Sequence, residues 1–162
     1  MPGINSRIIV GVSGSPGSLH ALRHAVDLAR EHYALLVPVL AWTPPGGEQQ
    51  ARYSPVPELE IDWRKAARAR LNTAFEEGLG VLPDDVHCEP LVVRGPVGVV
   101  LISVADQADD VLVVGAGRRG RVGRLLHAHI ATFCIAHAGC CVVAVPPPPL
   151  AGTPHRLTHL IN

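Results

Sequence analysis

Five short runs of aliphatic residues alternate along the chain with longer segments whose apolar residues recur at helical spacing. The runs are predicted to be strands over Arg7–Val12, Leu35–Ala41, Val86–Val93, Val111–Val114 and Cys141–Val145. Parallel strands need a crossover connection between them, and a helix is its usual form. The alternation therefore predicts an α/β fold, in which a five-stranded parallel sheet carries helices on both faces.

Four helices are predicted from the positions of the apolar residues. They are expected around Leu19–Ala29, over about Glu58–Gly78, from Gly95-Pro96 onward, and over about Arg124–Ala138 with His137 on the buried side. Ser13–Ser18 and the Pro- and Gly-rich segment Thr43–Pro57 are predicted to be loops. Pro146–Pro149 ends the last strand, so we expect one domain over residues 1–149 and a flexible tail over 150–162.

Charge and composition exclude some classes of partner. Lys and Arg number 14, as do Asp and Glu, so the net charge at pH 7 is zero and no nucleic-acid partner is expected. No apolar run reaches the length of a membrane span, and Met1–Arg7 lacks the pattern of a signal peptide. We therefore expect a cytoplasmic protein with no membrane partner. Its cysteines are expected to be reduced and buried, and they are Cys88, Cys134, Cys140 and Cys141.

A glycine-rich turn follows the fourth predicted strand. Gly115, Gly117 and Gly120 match the pattern Gly-x-Gly-x-x-Gly, and a strand that leads through glycines into a helix is a common phosphate-binding arrangement. A dinucleotide site would follow the first strand, with an acid at the end of the second. Here the glycine-rich turn follows the fourth strand, and the strand after it ends in Val145-Pro146 without an acid. The sequence also contains no Gly-Lys-Ser/Thr. The pattern therefore predicts neither NAD binding nor a P-loop.

Polar residues near the N-terminus have catalytic and metal-binding interpretations that the sequence does not support. His20 and His24 lie one helical turn apart, a spacing that can hold zinc, but no third ligand is evident. Ser13, Ser15 and Ser18 lack a nucleophile elbow, and no base can be placed against them. We therefore expect neither a catalytic constellation nor a metal site.

Four segments, taken together and in order, resemble the universal stress protein family. They are Arg7–Leu22 (RIIVGVSGSPGSLHAL), Ala41-Trp42 followed by prolines, Leu91–Gly120 and Gly123–Val145. The resemblance covers about Arg7–Val145. It implies a flavodoxin-like or adenine nucleotide α hydrolase-like fold with strand order 3-2-1-4-5, in which ligands bind beyond the carboxyl ends of the strands.

Some members of this family bind ATP, and these carry a glycine motif after the fourth strand. The motif is Gly-x-x-Gly, then nine residues, then Gly-Ser/Thr. In this chain Gly115 matches the first glycine, Arg118 stands at the second, and Ala128-His129 stand at the final pair. The binders also have an acid after the first strand, where this chain has Ser13. The resemblance therefore implies that most of the ATP-binding positions are replaced.

The replaced motif leaves the binding mode open. A side chain at Arg118 should obstruct the close approach of a triphosphate to the backbone, whereas Gly117 and Gly120 could shift the turn and compensate in part. The candidate ligand-binding residues are Val12, Ser13, Ala41, Gly115, Gly117, Arg118, Gly120, Ala128 and His129.

Arginines crowd the loop after the fourth strand, and they have two interpretations. The basic residues are Arg118, Arg119, Arg121 and Arg124, with His127 and His129 beside them. One interpretation is an anion site that holds a phosphate-bearing ligand through side chains. The other is a solvated basic loop without a ligand.

The resemblance implies a dimeric regulatory or binding module, not an enzyme, that has no cofactor and lacks the usual mode of ATP binding. The alternative is a stress sensor that binds an adenine nucleotide, with ATP and Mg²⁺ held by the loop after the fourth strand and slow ATP hydrolysis. The last strand resembles the edge that pairs in dimers of the family, so we expect a homodimer through Cys141–Val145.

Overall fold

The computed structural model describes residues 6–53, 55–81, 83–117 and 127–148. Strands and helices alternate within them as the sequence predicts, except that an additional helix, α2, precedes α3. The elements are β1 (Arg7–Gly11), α1 (Pro16–His32), β2 (Leu35–Trp42), α2 (Gly47–Tyr53), α3 (Pro57–Leu79), β3 (Leu91–Arg94), α4 (Val97–Val104), β4 (Val111–Gly115), α5 (His127–His137) and β5 (Cys141–Val145).

The strands form a five-stranded parallel sheet in the order β3-β2-β1-β4-β5. This confirms the predicted α/β class and the strand order that the resemblance implies. The side chains of β1 alternate between two cores: Ile8 and Val10 pack with α1 and α3, whereas Ile9 packs with α4 and α5. The central strands are therefore buried on both faces, which explains why their sequences are continuous aliphatic runs.

Helix α1 begins within the segment that the sequence predicts as a loop, Ser13–Ser18. The Ser15 hydroxyl accepts a hydrogen bond from the Ser18 N–H at 3.3 Å and caps the helix. Pro16 occupies the first turn, where a missing N–H leaves no hydrogen bond unmade. The prediction was wrong here because Pro and Ser, which suit loops, also suit the start of a helix. As a result, α1 starts close to the carboxyl end of β1.

Strand β3 is shorter than the predicted strand Val86–Val93. It begins at Leu91, and before it an isolated bridge joins Leu36 of β2 to Cys88. The Leu36 N–H donates a hydrogen bond on the side of β2 that faces β3. Pro38, two residues further on, faces the same side and has no N–H to donate. The ladder is therefore interrupted between the bridge and β3.

The predicted loop Thr43–Pro57 contains helix α2. Arg94, at the end of β3, forms ion pairs with Glu48 of α2 at 3.0 Å and with Glu60 of α3 at 3.1 Å. Its guanidinium also lies over the Trp42 ring, 5.8 Å from the ring centre. The hydrogen bonds from Arg94 lower the pKa of Glu48. Contacts that are distant in sequence therefore fix a helix that the local composition does not predict.

Two predictions of burial are wrong. His137 is exposed at the end of α5, where its ring stacks on Phe133 with the centroids 4.3 Å apart. Of the free cysteines only Cys134 is buried, Cys88 and Cys140 are half-buried, and Cys141 is exposed. Cys141 is exposed because β5 is an edge strand of the sheet.

Some predicted features lie outside the described residues. They are the start of the last predicted helix (124–126), the arginine-rich loop from Arg118 to Arg124, and the tail over 150–162. In the part of the chain that the structure describes, no helix is both long enough and apolar enough to cross a membrane.

Candidate functional site

A cavity of about 140 Å³ lies beyond the carboxyl ends of β1, β2 and β4. The strand order reverses at β1, because the chain continues to β2 on one side and later places β4 on the other. Parallel α/β sheets bind ligands at such a point. One wall of the cavity is apolar and consists of Val97 and Leu101 of α4, Val114 of β4 and Ile130 of α5.

The turn between β1 and α1 forms a polar wall of the cavity. Ser18 is buried, and its hydroxyl accepts from the Ser13 N–H at 3.2 Å and donates to the Ser15 carbonyl at 3.0 Å. Ser13 is exposed, with its hydroxyl 3.0 Å from the Ser15 Oγ. The buried hydroxyl fixes the turn, and Ser13 is left where a ligand can reach it.

The end of β2 presents backbone groups to the same cavity. The Val39 carbonyl accepts from the Val12 N–H at 2.9 Å, just past the end of β1. Backbone polar groups alternate sides along a strand. The N–H and C=O of Ala41, two residues after Val39, therefore point to the same side of β2 as the Val39 carbonyl, just beyond the end of β1. Val12 and Ala41 both line the cavity. A hydrogen-bond donor and an acceptor therefore lie together beside an apolar surface.

The turn after β4 needs glycine at two positions, for different reasons. A β-carbon at Gly115 would lie 3.0 Å from the Gly17 carbonyl oxygen, so a side chain there would press against the backbone at the start of α1. Gly117 has a φ of 77°, in the left-handed region that favours glycine. Between them, the Ala116 N–H donates to the Val145 carbonyl at 2.8 Å. The fold itself therefore favours glycine at both positions, whether or not a ligand binds.

Arg70 of α3 also lines the cavity, and the sequence pattern does not predict it there. It lies at the edge of the buried stripe that Ala67 and Leu71 form on α3. Helical spacing predicts that stripe, but which helical position reaches the cavity depends on how α3 lies across the sheet. Arg70 forms no ion pair or hydrogen bond with any residue that the structure describes. Among the described residues that line the cavity, it is the only charged one.

The structure brings several predicted site residues together at the cavity, namely Val12, Ser13, Ala41, Gly115 and Gly117. His129 lies instead in a groove between α4 and α5, which Phe133 also lines. Arg118 and Gly120 lie outside the described residues, as does the side chain of Ala128. The cavity therefore contains the predicted residues of β1, β2 and β4 but not the predicted histidine of α5.

Comparison with known proteins agrees with this architecture. A family profile described as the universal stress protein family matches residues 5–146. A universal stress protein of Synechocystis sp. is 28% identical over 87 residues, which are 53% of this chain and 81% of that protein.

Among the similar solved structures is a universal stress protein in complex with cAMP. It is 25% identical, with a TM-score of 0.57, and the match covers 86% of this chain and 95% of the other. UspA from Lactobacillus plantarum is 20% identical, with a TM-score of 0.63, and the match covers 86% of this chain and 97% of the other. The family profile spans every strand and helix described above. This chain belongs to the universal stress protein family.

Proposed function

We propose that this chain is a regulatory module that binds a phosphate-bearing adenine nucleotide in the cavity, by contacts other than the glycine loop of ATP-binding relatives. The observation that carries the proposal is the cavity itself, where an apolar wall, exposed Ser13 and the cation of Arg70 meet at the reversal of strand order. The similar universal stress protein in complex with cAMP supports this class of ligand.

The apolar side of the cavity suits a nucleotide base. The apolar wall of Val97, Leu101, Val114 and Ile130 offers a surface for a flat ring. A ring against them lies within reach of the N–H and C=O of Ala41. Adenine carries a donor and an acceptor side by side on one edge, which complements these two backbone groups.

The polar side of the cavity suits an anion. Helix α1 begins there, and a helix N-terminus carries partial positive charge. Arg70 adds a full positive charge. Four arginines follow Gly117 in the next seven residues of the sequence, and we propose that they also contact the phosphate.

Mg²⁺-ATP in the usual mode of the family is the weaker alternative. Arg118 stands where that mode needs a second glycine, and Ala128-His129 stand where it needs Gly-Ser/Thr. Gly115 does match, but its packing against Gly17 favours glycine there for a structural reason. Mg²⁺ prefers oxygen ligands such as carboxylates, and the described lining residues include none.

We propose that the ligand is held and not converted, and that the module acts in the cytoplasm. The Ser13 hydroxyl lies within hydrogen-bond distance of the Ser15 and Ser18 hydroxyls. Among the described residues, no histidine or carboxylate stands beside these hydroxyls to act as a base.

The proposal is tested by calorimetric titration of the protein with cAMP, AMP and adenosine, and with ATP in the presence and absence of Mg²⁺. We expect saturable binding of cAMP or AMP in the presence of EDTA, and a thermal stabilisation of about 2.7 kcal/mol at a hundredfold excess over Kd. Absence of heat with every compound would show a scaffold without a nucleotide ligand. Binding of ATP alone, and only with Mg²⁺, would show the usual mode.

We also propose that two copies form a homodimer by antiparallel pairing of their β5 strands. β5 is an edge strand, and its Val145 carbonyl is bonded to Ala116, so the alternate residues Val142 and Ala144 direct their backbone groups outward. An unpaired edge of this kind invites pairing with a second copy.

A further inference from the structure

Arg70 combines two features that no other arginine of the described structure combines, since it has no ion-pair or hydrogen-bond partner and it lines the cavity. Arg7, Arg30 and Arg94 each pair with carboxylates, and Arg23 donates to backbone carbonyls at the end of α3. Arg70 is exposed, has no partner among the described residues, and lines the cavity. An unpaired guanidinium at a concave site is a ready contact for an anionic group.

The neighbours of Arg70 in the cavity are neutral. The described lining consists of apolar residues, glycines and three serines besides this one arginine, and it includes no carboxylate. The start of α1 faces the same cavity and adds the partial positive charge of its N-terminus. The local field therefore favours a ligand that carries net negative charge.

We propose that Arg70 sets the specificity of this cavity for nucleotides that carry one phosphate beside the sugar, as in a nucleoside monophosphate or a 3′,5′-cyclic monophosphate. This inference rests on the proposed function and deepens it by naming the ligand class. Arg70 contacts the phosphate directly through its guanidinium. A metal-chelated triphosphate is instead usually held with one or two protein carboxylates on the metal, and the described lining residues include no carboxylate.

The chain provides a matched control on the same helix. Arg68 is an exposed arginine of α3, two residues away, and it does not line the cavity. Arg68→Gln removes the same charge from the same helix as Arg70→Gln, so the two variants have the same net charge. Arg70→Lys keeps the positive charge and removes the planar, two-pronged donor.

The experiment measures the affinities of adenosine, AMP and cAMP in EDTA for the wild-type protein and the three variants. We expect the wild type to bind AMP or cAMP at least about tenfold more tightly than adenosine, since a charge-assisted contact is worth this much. Arg70→Gln should lower that ratio about tenfold, to whatever preference the other positive groups supply, and should leave the adenosine affinity unchanged. Arg70→Lys should give an intermediate ratio, and Arg68→Gln should behave as the wild type.

A phosphate preference that is undiminished in Arg70→Gln overturns the inference while the proposed function stands. Failure of the wild type to bind any of the three compounds overturns the proposed function, and this inference with it. Melting temperatures of the variants show whether they fold, and Arg70→Gln should match Arg68→Gln because both side chains are exposed.

Discussion

Gly115 at the end of β4 lies directly against Gly17 at the start of α1. A β-carbon on Gly115 would stand 3.0 Å from the Gly17 carbonyl oxygen and 3.1 Å from its carbonyl carbon, whereas a β-carbon on Gly17 would meet nothing within 4 Å. The contact is therefore asymmetric. It brings the end of β4 and the first turn of α1 together at the edge of the cavity, and only the glycine of β4 is required for it.

This asymmetry predicts opposite effects of two alanine substitutions. Gly115→Ala should destabilise the fold by about 1–3 kcal/mol, because the neighbour is backbone that must shift. Gly17→Ala should be neutral or stabilise by up to about 1 kcal/mol, because it replaces glycine in a helix with open space around it. Urea unfolding of both variants measures the difference. Equal stability of the two would contradict the contact.

The proposed dimer predicts a selective effect of proline on β5. Ala144→Pro removes an N–H that faces away from β4, so it should abolish the dimer while the β4–β5 ladder is kept. Ala144→Ser keeps the N–H and should remain dimeric. Light scattering at micromolar concentration reports the mass of each. A wild-type monomer, or a dimer that survives Ala144→Pro, would show that β5 is not the interface.

A buried carboxylate at the opposite end of the sheet predicts a large loss of stability. Asp110 is 1% exposed and accepts from the Arg7 guanidinium at 2.9 and 2.6 Å and from the Gln107 N–H at 3.0 Å. Asp110→Ala should cost about 3 kcal/mol, because a half-buried cation loses its buried partner. Asp106→Ala removes the exposed partner of the same arginine and should cost less than about 1 kcal/mol. Chemical denaturation measures the free energy of unfolding of both variants, and equal losses of stability would contradict this ranking.

The half-buried Cys88 predicts a decline of stability in alkaline solution. Burial, with a smaller contribution from Glu89, raises the pKa of its thiol from 9.0 to about 11. Between these values the unfolded chain loses the thiol proton and the folded chain keeps it, so the unfolded state is favoured. The free energy of unfolding should fall by up to about 1.4 kcal/mol per pH unit over this window. Cys88→Ala should lack this component in urea titrations from pH 8 to 11, and identical pH profiles would contradict it.

The sequence predicted the elements that depend on local patterns. Strands with both faces buried, such as Arg7–Gly11, appear as uninterrupted aliphatic runs, and their alternation with helices determines the parallel sheet. Helix α2 was missed because it depends on Arg94, which lies 46 residues from Glu48. β3 was predicted too long because Pro38 interrupts the ladder only with the strand that its missing N–H faces, and the sequence does not say which strand that is.

The residues of the candidate site also include some that local sequence patterns predict and others that depend on how the helices pack. Val12 follows β1, and Ala41 and Gly115 lie at the carboxyl ends of β2 and β4. Parallel strands place these ends at one edge of the sheet, so the sequence predicted that the three residues lie close together. Arg70 was missed because its position depends on how α3 packs across the sheet. His129 was selected by a motif count along the chain, and the direction of its side chain follows from the packing of α5 against α4.

The central claim is that the cavity beyond β1, β2 and β4 holds a phosphate-bearing adenine nucleotide without a metal ion. The most direct measurement is an NMR titration of the ¹⁵N-labelled protein with cAMP and AMP in EDTA. The account predicts saturable shifts at the backbone amides of Ser13, Ala41 and Gly117. Shifts confined to the groove of His129 and Phe133, or no shifts with either nucleotide, would contradict it.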